Sequence, residues 1–230
     1  MTPPRVAIVD NAVYPHLYKP VGHWRTWLGG VAWESFYAPA GRLPALGDFS
    51  HVILTGSEAS ILEREPWADR EVEFVRDAFQ AGKSILGSCY GHQLLALALA
   101  GPARVGRCRE PEIGWIAVEV VAPSPLLGEP RRAFTFAAHF DEVRDLPSDA
   151  YDVLASTLAC PVQAFGCRGR NVWGLQIHPE IDVPAAREIL SGFGEIFPRV
   201  RPLYARALAE EPRDSRLILR IVERFLADSA

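Results

Sequence analysis

The sequence predicts an α/β fold, an open and mostly parallel sheet flanked by helices, with extra β-strands and a C-terminal helical extension. Three observations predict it. Short apolar runs of strand length alternate with helical stripes over residues 5–100. After Gly101 the texture changes to a series of β-like segments with no long helical pattern between them. From residue 183 the chain turns helical again.

The elements follow in order. Residues 5–10 (RVAIVD) form an apolar run ending in a polar residue and read as a buried strand. Residues 31–39, rich in aromatic and β-branched side chains, are a second strand, and residues 51–56 (HVILTG) a third that stops at glycine. Residues 66–80 carry Ala68, Val72, Val75 and Phe79 on one helical stripe, with Pro66 suited to the first turn and Gly82 to the stop. Residues 84–87 (SILG) are another buried strand, and residues 91–100, apolar almost all round, a core helix. Strands separated by helices imply parallel pairing through crossovers. Residues 103–108, 114–121, 133–138, 151–158, 162–165 and 171–177 are β-like. Helices are expected over 183–197, 201–210 and 214–227; the last has Asp214 as N-cap and a stripe of Leu217, Ile218, Ile221, Val222 and Phe225. No internal repeat or linker divides the chain, so the expectation is one domain over residues 1–198 with a helical extension over 199–230 packed on it.

Composition narrows the function. The 230 residues are 49% hydrophobic and 23% charged, as in globular domains, which excludes disorder as the main state. A net charge of −4 with no basic run argues against nucleic-acid and membrane-surface partners. The longest apolar run, residues 94–100, is far shorter than the roughly 18 residues a membrane helix needs. Residues 1–10 lack a secretory signal pattern, so a cytoplasmic location is expected. The four cysteines form no CxxC pair and no zinc-type cluster, so free thiols and no metal are expected. Neither G-x-x-x-x-G-K-[ST] nor G-x-G-x-x-G occurs, so no cofactor is expected.

Chemistry concentrates at Gly87-Ser88-Cys89-Tyr90-Gly91, a G-x-C-x-G at the junction of a buried strand and a core helix. This is the cysteine form of a nucleophile elbow, whose tight turn requires small residues on both sides of the nucleophile. It places Cys89 at the carboxyl edge of the sheet, beside a helix N-terminus that favours a thiolate. The Tyr90 N–H is then free to face a developing oxyanion.

Of the six histidines, His178 stands out in Gly174-Leu-Gln-Ile-His178-Pro-Glu180. In an extended backbone, residues two apart share a side, so Glu180 is expected to orient the His178 imidazole along a strand. Cysteine, histidine and an orienting acid make the nucleophile, base and orienter of covalent acyl transfer. A small-residue turn at Gly56-Ser57-Glu58 follows a buried strand and offers further backbone N–H groups for an oxyanion. Two other groupings read as structural: His139 with Asp141 as a pair shaping a loop, and Arg104, Arg107 and Arg109 as a solvated face. Cys160 and Cys167 are assigned to packing.

The order G-x-C-x-G-H-Q, E-I-G-W at Glu112–Trp115, H-x-D-x-V at His139–Val143 and G-L-Q-I-H-P-E resembles class I glutamine amidotransferases, in particular stand-alone chains similar to the amidotransferase domain of GMP synthase. The resemblance runs from about Val6 to about Phe193. It implies a flavodoxin-like three-layer sandwich and hydrolysis of the glutamine side-chain amide through a γ-glutamyl thioester. Ammonia would be released for an acceptor, with a separate synthase as partner. It assigns Cys89 as nucleophile, His178 as base and Glu180 as orienter. Ser57 and Tyr90 become backbone oxyanion donors, Gly56 and Gln93 contact the substrate, and the backbone of Ala138, His139 and Phe140 holds its α-amino and carboxylate ends. In the family the oxyanion turn is usually Gly-Gly-Pro, where this chain has Gly56-Ser57-Glu58, and Phe140 adds bulk where a small residue is usual. Two alternatives are a hydrolase of other γ-glutamyl compounds using the same triad, and a non-catalytic binding module.

Overall fold

The computed structural model describes residues 3–227; residues 1–2 and 228–230, at the outer ends of the expected domain and extension, lie outside them. Among the described residues, nine strands form a single sheet: β1 (Arg5–Asp10), β2 (Ala32–Tyr37), β3 (His51–Leu54), β4 (Ser84–Ser88), β5 (Val105–Val120), β6 (Arg131–Val143), β7 (Tyr151–Ser156), β8 (Ala164–Cys167) and β9 (Val172–Leu175). Their order is β2-β1-β3-β4-β9-β8-β7-β5-β6. The half from β2 to β9 is parallel and the half from β9 to β6 antiparallel. Helices α1 (Pro20–Trp27), α2 (Ala68–Gln80), α3 (Tyr90–Ala100), α4 (Val183–Ile196), α5 (Arg201–Ala209) and α6 (Leu217–Ala227) flank it.

The alternation of the central strands separates two cores. Ala7 and Val9 of β1, Val52 and Leu54 of β3, and Ile85 of β4 face one side and pack with Val72 and Val75 of α2 and Leu94 of α3. Val6, Ile8, Ile53 and Leu86 face the other side and pack with Trp24 of α1 and Ile218, Ile221 and Phe225 of α6. Burial on both faces explains why these strands read as continuous apolar runs. A third cluster joins Ile189, Leu190 and Phe193 of α4 to Tyr204 of α5, Phe136 of β6 and Tyr18.

Three elements of the fold differ from the sequence expectations. Helix α1 is absent from them: Pro20 opens it and Trp24 and Leu28 are buried four residues apart, but eight residues hold too few apolar positions to make a recognisable stripe. The segments expected at 103–108 and 114–121 are one long strand, β5, broken only by a register shift against β6 between Arg107 and Glu112. Pro111 lies in that irregularity, where a strand tolerates a residue without an N–H. Finally, Asp214 does not cap α6 in the expected way: its carboxylate accepts from the Arg216 N–H at 2.7 Å, and the helix begins only at Leu217.

Candidate active site

The elbow follows from steric limits. A Cβ on Gly87 would come within 2.4 Å of the Gly91 carbonyl oxygen, and one on Gly91 within 2.2 Å of the Leu54 carbonyl oxygen. With both glycines, the chain turns from β4 into α3 with Cys89 at φ 50° and ψ −103°, a conformation that non-glycine residues rarely adopt and that clusters at functional sites. The Cys89 N–H donates to Leu175 O on β9 at 2.7 Å, which ties the elbow to the strand leading to His178. Tyr90 is the first residue of α3, so no carbonyl within the helix takes its N–H. Its ring is buried against Trp67, at a centroid separation of 5.6 Å.

His178 and Glu180 meet in a different way from the one expected. Strand β9 ends at Leu175; His178 forms an isolated bridge to Phe136, its N–H donating to Phe136 O at 2.8 Å, and Pro179 and Glu180 form a turn. The turn, not strand alternation, brings Glu180 Oε1 to 2.8 Å from His178 Nδ1. Burial, the largest single influence, pushes the imidazole pKa down, but the Glu180 carboxylate at 2.8 Å and the Cys89 side chain together outweigh it and raise the pKa to about 10. Glu180 is itself held: Tyr18 Oη donates to Oε1 at 3.4 Å, Ser88 Oγ donates to Oε1 at 3.3 Å, and Trp27 Nε1 donates to its carbonyl at 3.3 Å. Burial, reinforced by the Glu180 charge, keeps Tyr18 a phenol and hence a donor.

The other cysteines are placed differently. Burial raises the thiol pKa of Cys160 and of Cys167 to about 12 each, and that of Cys108 further still. His92, the histidine of the elbow motif, is pushed by burial down to about 3 and packs as a neutral ring 5.0 Å from Phe165.

Cys89 and His178 open onto a cavity of about 700 Å³, and Ser57, Gln93, Ala138, His139 and Phe140 line it with them. Gly56 makes the close approach of the turn possible, since a Cβ there would meet His178 Cε1 at 2.7 Å and the Tyr18 hydroxyl at 2.8 Å. The Ser57 hydroxyl accepts from the Ala59 N–H at 3.0 Å. Glu58 Oε2 accepts from the Val13 N–H at 2.8 Å; burial raises its carboxyl pKa against the pull of that bond. Cys89 Sγ lies 3.8 Å from Ala138 O. Arg107 reaches the wall, its Nη1 at 2.9 Å from Asp141 Oδ1, rather than standing as a purely solvated cation.

Gln93 and His139 are each held by hydrogen bonds to neighbouring side chains and backbone. The Gln93 amide donates to Asp141 O at 2.8 Å and to Gln176 Oε1 at 3.1 Å, and Gln176 Nε2 donates onward to Cys89 Sγ at 3.5 Å. Gln93 therefore reaches the nucleophile through Gln176, which the sequence reading did not single out although it lies two residues before His178. The His139 ring sits in a buried cluster: Nε2 is 3.2 Å from Glu112 Oε2, and Nδ1 is 3.2 Å from Asp141 O and 3.3 Å from Cys108 Sγ. Among the described residues, Glu112, His139 and Cys160 bring ligand-type atoms within 4.8 Å of one another. Glu112 there also accepts from Gln163 Nε2 at 2.5 Å, so the group is a hydrogen-bonded support beneath the 138–140 strand.

Known proteins share this chain's sequence and fold. The family described as glutamine amidotransferase class-I matches residues 42–193. The glutamine-hydrolysing GMP synthase of Aeropyrum pernix is 40% identical over 161 residues, which are 67% of this chain and 30% of that protein. A glutamine-hydrolysing GMP synthase subunit of Pyrococcus abyssi is 33% identical over 114 residues, 49% of this chain and 59% of that protein. This chain thus spans less than a third of the Aeropyrum protein. A glutamine amidotransferase structure from Methylobacillus flagellatus superposes with a TM-score of 0.79 at 20% identity, over 98% of this chain and 95% of the other, and so shares the fold. One from Thermotoga maritima gives 0.75 at 21% identity, covering 99% and 98%.

Proposed function

The chain belongs to the class I glutamine amidotransferase family, and from that premise we propose that its cavity hydrolyses the side-chain amide of glutamine through a γ-glutamyl thioester on Cys89, releasing ammonia to a separate synthase. The observation that carries the reading is the convergence of the Cys89 elbow with the His178–Glu180 pair at 2.8 Å.

The reaction has two halves. The Cys89 thiolate, paired with the His178 imidazolium, attacks the amide carbon. The Tyr90 and Ser57 N–H groups stabilise the oxyanion that forms. The C–N bond breaks as His178 gives its proton to the departing nitrogen, leaving ammonia and the thioester. His178, now neutral, takes a proton from water; the hydroxide attacks the thioester, the C–S bond breaks and glutamate leaves. Glu180 keeps the imidazole in one tautomer and stabilises its charged form, while Tyr18 and Ser88 hold Glu180 in place. The synthase partner rests on relatives whose names couple glutamine hydrolysis to GMP synthesis.

The test is glutamate release from glutamine by the purified chain and by Cys89→Ala. Loss of release in the variant with retained folding supports the reading. Equal release by both proteins overturns it.

A further inference from the structure

Ammonia needs almost no room on the leaving-group side of a glutaminase. A cavity of about 700 Å³ falls within the roughly 300–1,000 Å³ typical of sites for drug-sized ligands and is far larger than an amino acid requires.

Strand β6 shows which side the surplus is on. Phe136 bonds to His178, Ala138 O faces Cys89 Sγ, and Asp141 lies further along the same strand. At roughly 3.3 Å per residue, the cavity therefore has a Phe136 side and an Asp141 side with the nucleophile between them. The Asp141 side carries charge of both signs: Arg107 pairs with Asp141, whose Oδ2 accepts from Ser60 Oγ at 2.6 Å. It suits the α-amino and α-carboxylate groups of a γ-glutamyl head.

The Phe136 side is mainly aromatic, with Glu58 and Arg199 also on the cavity wall. His178, the group that protonates the leaving nitrogen, is flanked by Phe136 and Tyr18 at ring separations of 6.2 and 5.9 Å. Beyond them Tyr14, Phe193 and Phe197 form an aromatic corner: Tyr14 stands edge-on to Phe193 at 6.2 Å and to Phe197 at 5.7 Å, and the two phenylalanine rings stack at 5.7 Å. All three rings line the same cavity as Cys89.

We infer that the site accepts γ-glutamyl amides whose nitrogen carries a large apolar or aromatic group, seated in the corner of Tyr14, Phe193 and Phe197. The inference rests on the thioester reading above and extends it to a substituted leaving group. The chemistry balances in the same way. Cys89 Sγ bonds to the γ-carbon, the C–N bond breaks, the His178 proton goes to the nitrogen and a neutral amine departs. Water then cleaves the thioester to glutamate and regenerates the thiolate.

The experiment compares kcat/KM for glutamine, γ-glutamyl-methylamide and γ-glutamyl-phenethylamide, read as glutamate release. The phenethylamide is expected to exceed the methylamide by roughly ten- to a hundredfold, the gain from burying one aromatic group. In Phe197→Ala and Tyr14→Ala the ratio of phenethylamide to methylamide should fall towards one, a readout independent of how much active protein each preparation contains. Glutamine turnover with rejection of the phenethylamide overturns this inference and leaves the glutaminase reading intact. An unchanged ratio in both variants also overturns it. Failure to turn over any of the three amides overturns both.

Discussion

His178 Nδ1 and Glu180 Oε1 lie 2.8 Å apart because Pro179 turns the chain between them, after the strand has ended. The pair is buried, with Tyr18 and Ser88 closing over the carboxylate. Replacing Glu180 by Gln keeps the shape of the side chain but removes its charge and lets an N–H₂ face the imidazole. The upward pull on the His178 pKa is then lost, so the ring should give up its proton at lower pH than the wild type's value of about 10. Turnover should fall by roughly 10- to 10³-fold, less than for the equivalent change in a serine protease, because a thiolate depends less on a base. His178→Ala should cost more, since the departing nitrogen then lacks its proton donor. Steady-state kinetics with circular dichroism as a folding check, and NMR titration of the imidazole, test the order. Wild-type turnover in Glu180→Gln would reduce the triad to a dyad.

Cys89 should be the first of the four thiols alkylated by a γ-glutamyl-like electrophile. Cys160 and Cys167 have pKa values raised to about 12, and Cys108 is raised as well, which keeps all three protonated at neutral pH. Mass mapping after limiting treatment reads the result; preferential labelling of any of those three would remove the nucleophile assignment.

Glu71 offers a pH-dependent test of stability. It is fully buried on α2, and desolvation raises its pKa to about 8, slightly offset by the nearby Asn11 amide. The folded chain thus holds a proton that the unfolded chain releases near pH 4.3. Its contribution to stability is full below that value and is lost as pH rises towards 8, at no more than about 1.4 kcal/mol per pH unit. Glu71→Gln mimics the protonated form, so its advantage in thermal stability over wild type should grow from pH 5 to pH 8. An advantage that is constant or shrinks across that range would show that Glu71 is not buried as a neutral acid.

Helix α6 should be inseparable from the rest of the fold. Leu217, Ile218, Ile221, Val222 and Phe225 are all buried in the cluster that includes Val6, Ile8 and Trp24. Each contributes roughly 1.5–3 kcal/mol by burial, and together they rival the roughly 5–15 kcal/mol net stability of an ordinary domain. Truncation after Glu211 should abolish cooperative melting, and Ile221→Ala alone should cost about 2–5 kcal/mol in denaturant unfolding. Unchanged melting of the truncated chain would make the helix dispensable.

What the sequence determined alone is what local chemistry dictates. The two glycines around Cys89 leave the chain one way to turn between a buried strand and a helix, because any larger side chain would strike the Gly91 or Leu54 carbonyl. The apolar runs at Val6–Val9, Val52–Leu54 and Ile85–Leu86 announce strands covered on both faces. The stripe from Leu217 to Phe225 announces a helix with one buried side. Tertiary structure decided which distant segments meet. Tyr18 and Trp27, on either side of the unanticipated start of α1, reach Glu180 across more than 150 positions, and no local pattern marks them. Gln176 touches Cys89 only because β9 pairs with β4. The His139 ring supports the wall from behind because β5 places Glu112 opposite it. The aromatic corner likewise draws Tyr14 from the loop after β1 and Phe193 and Phe197 from the end of α4. Periodicity shows which face of an element is buried, whereas the partner of that face depends on the packing of the whole chain.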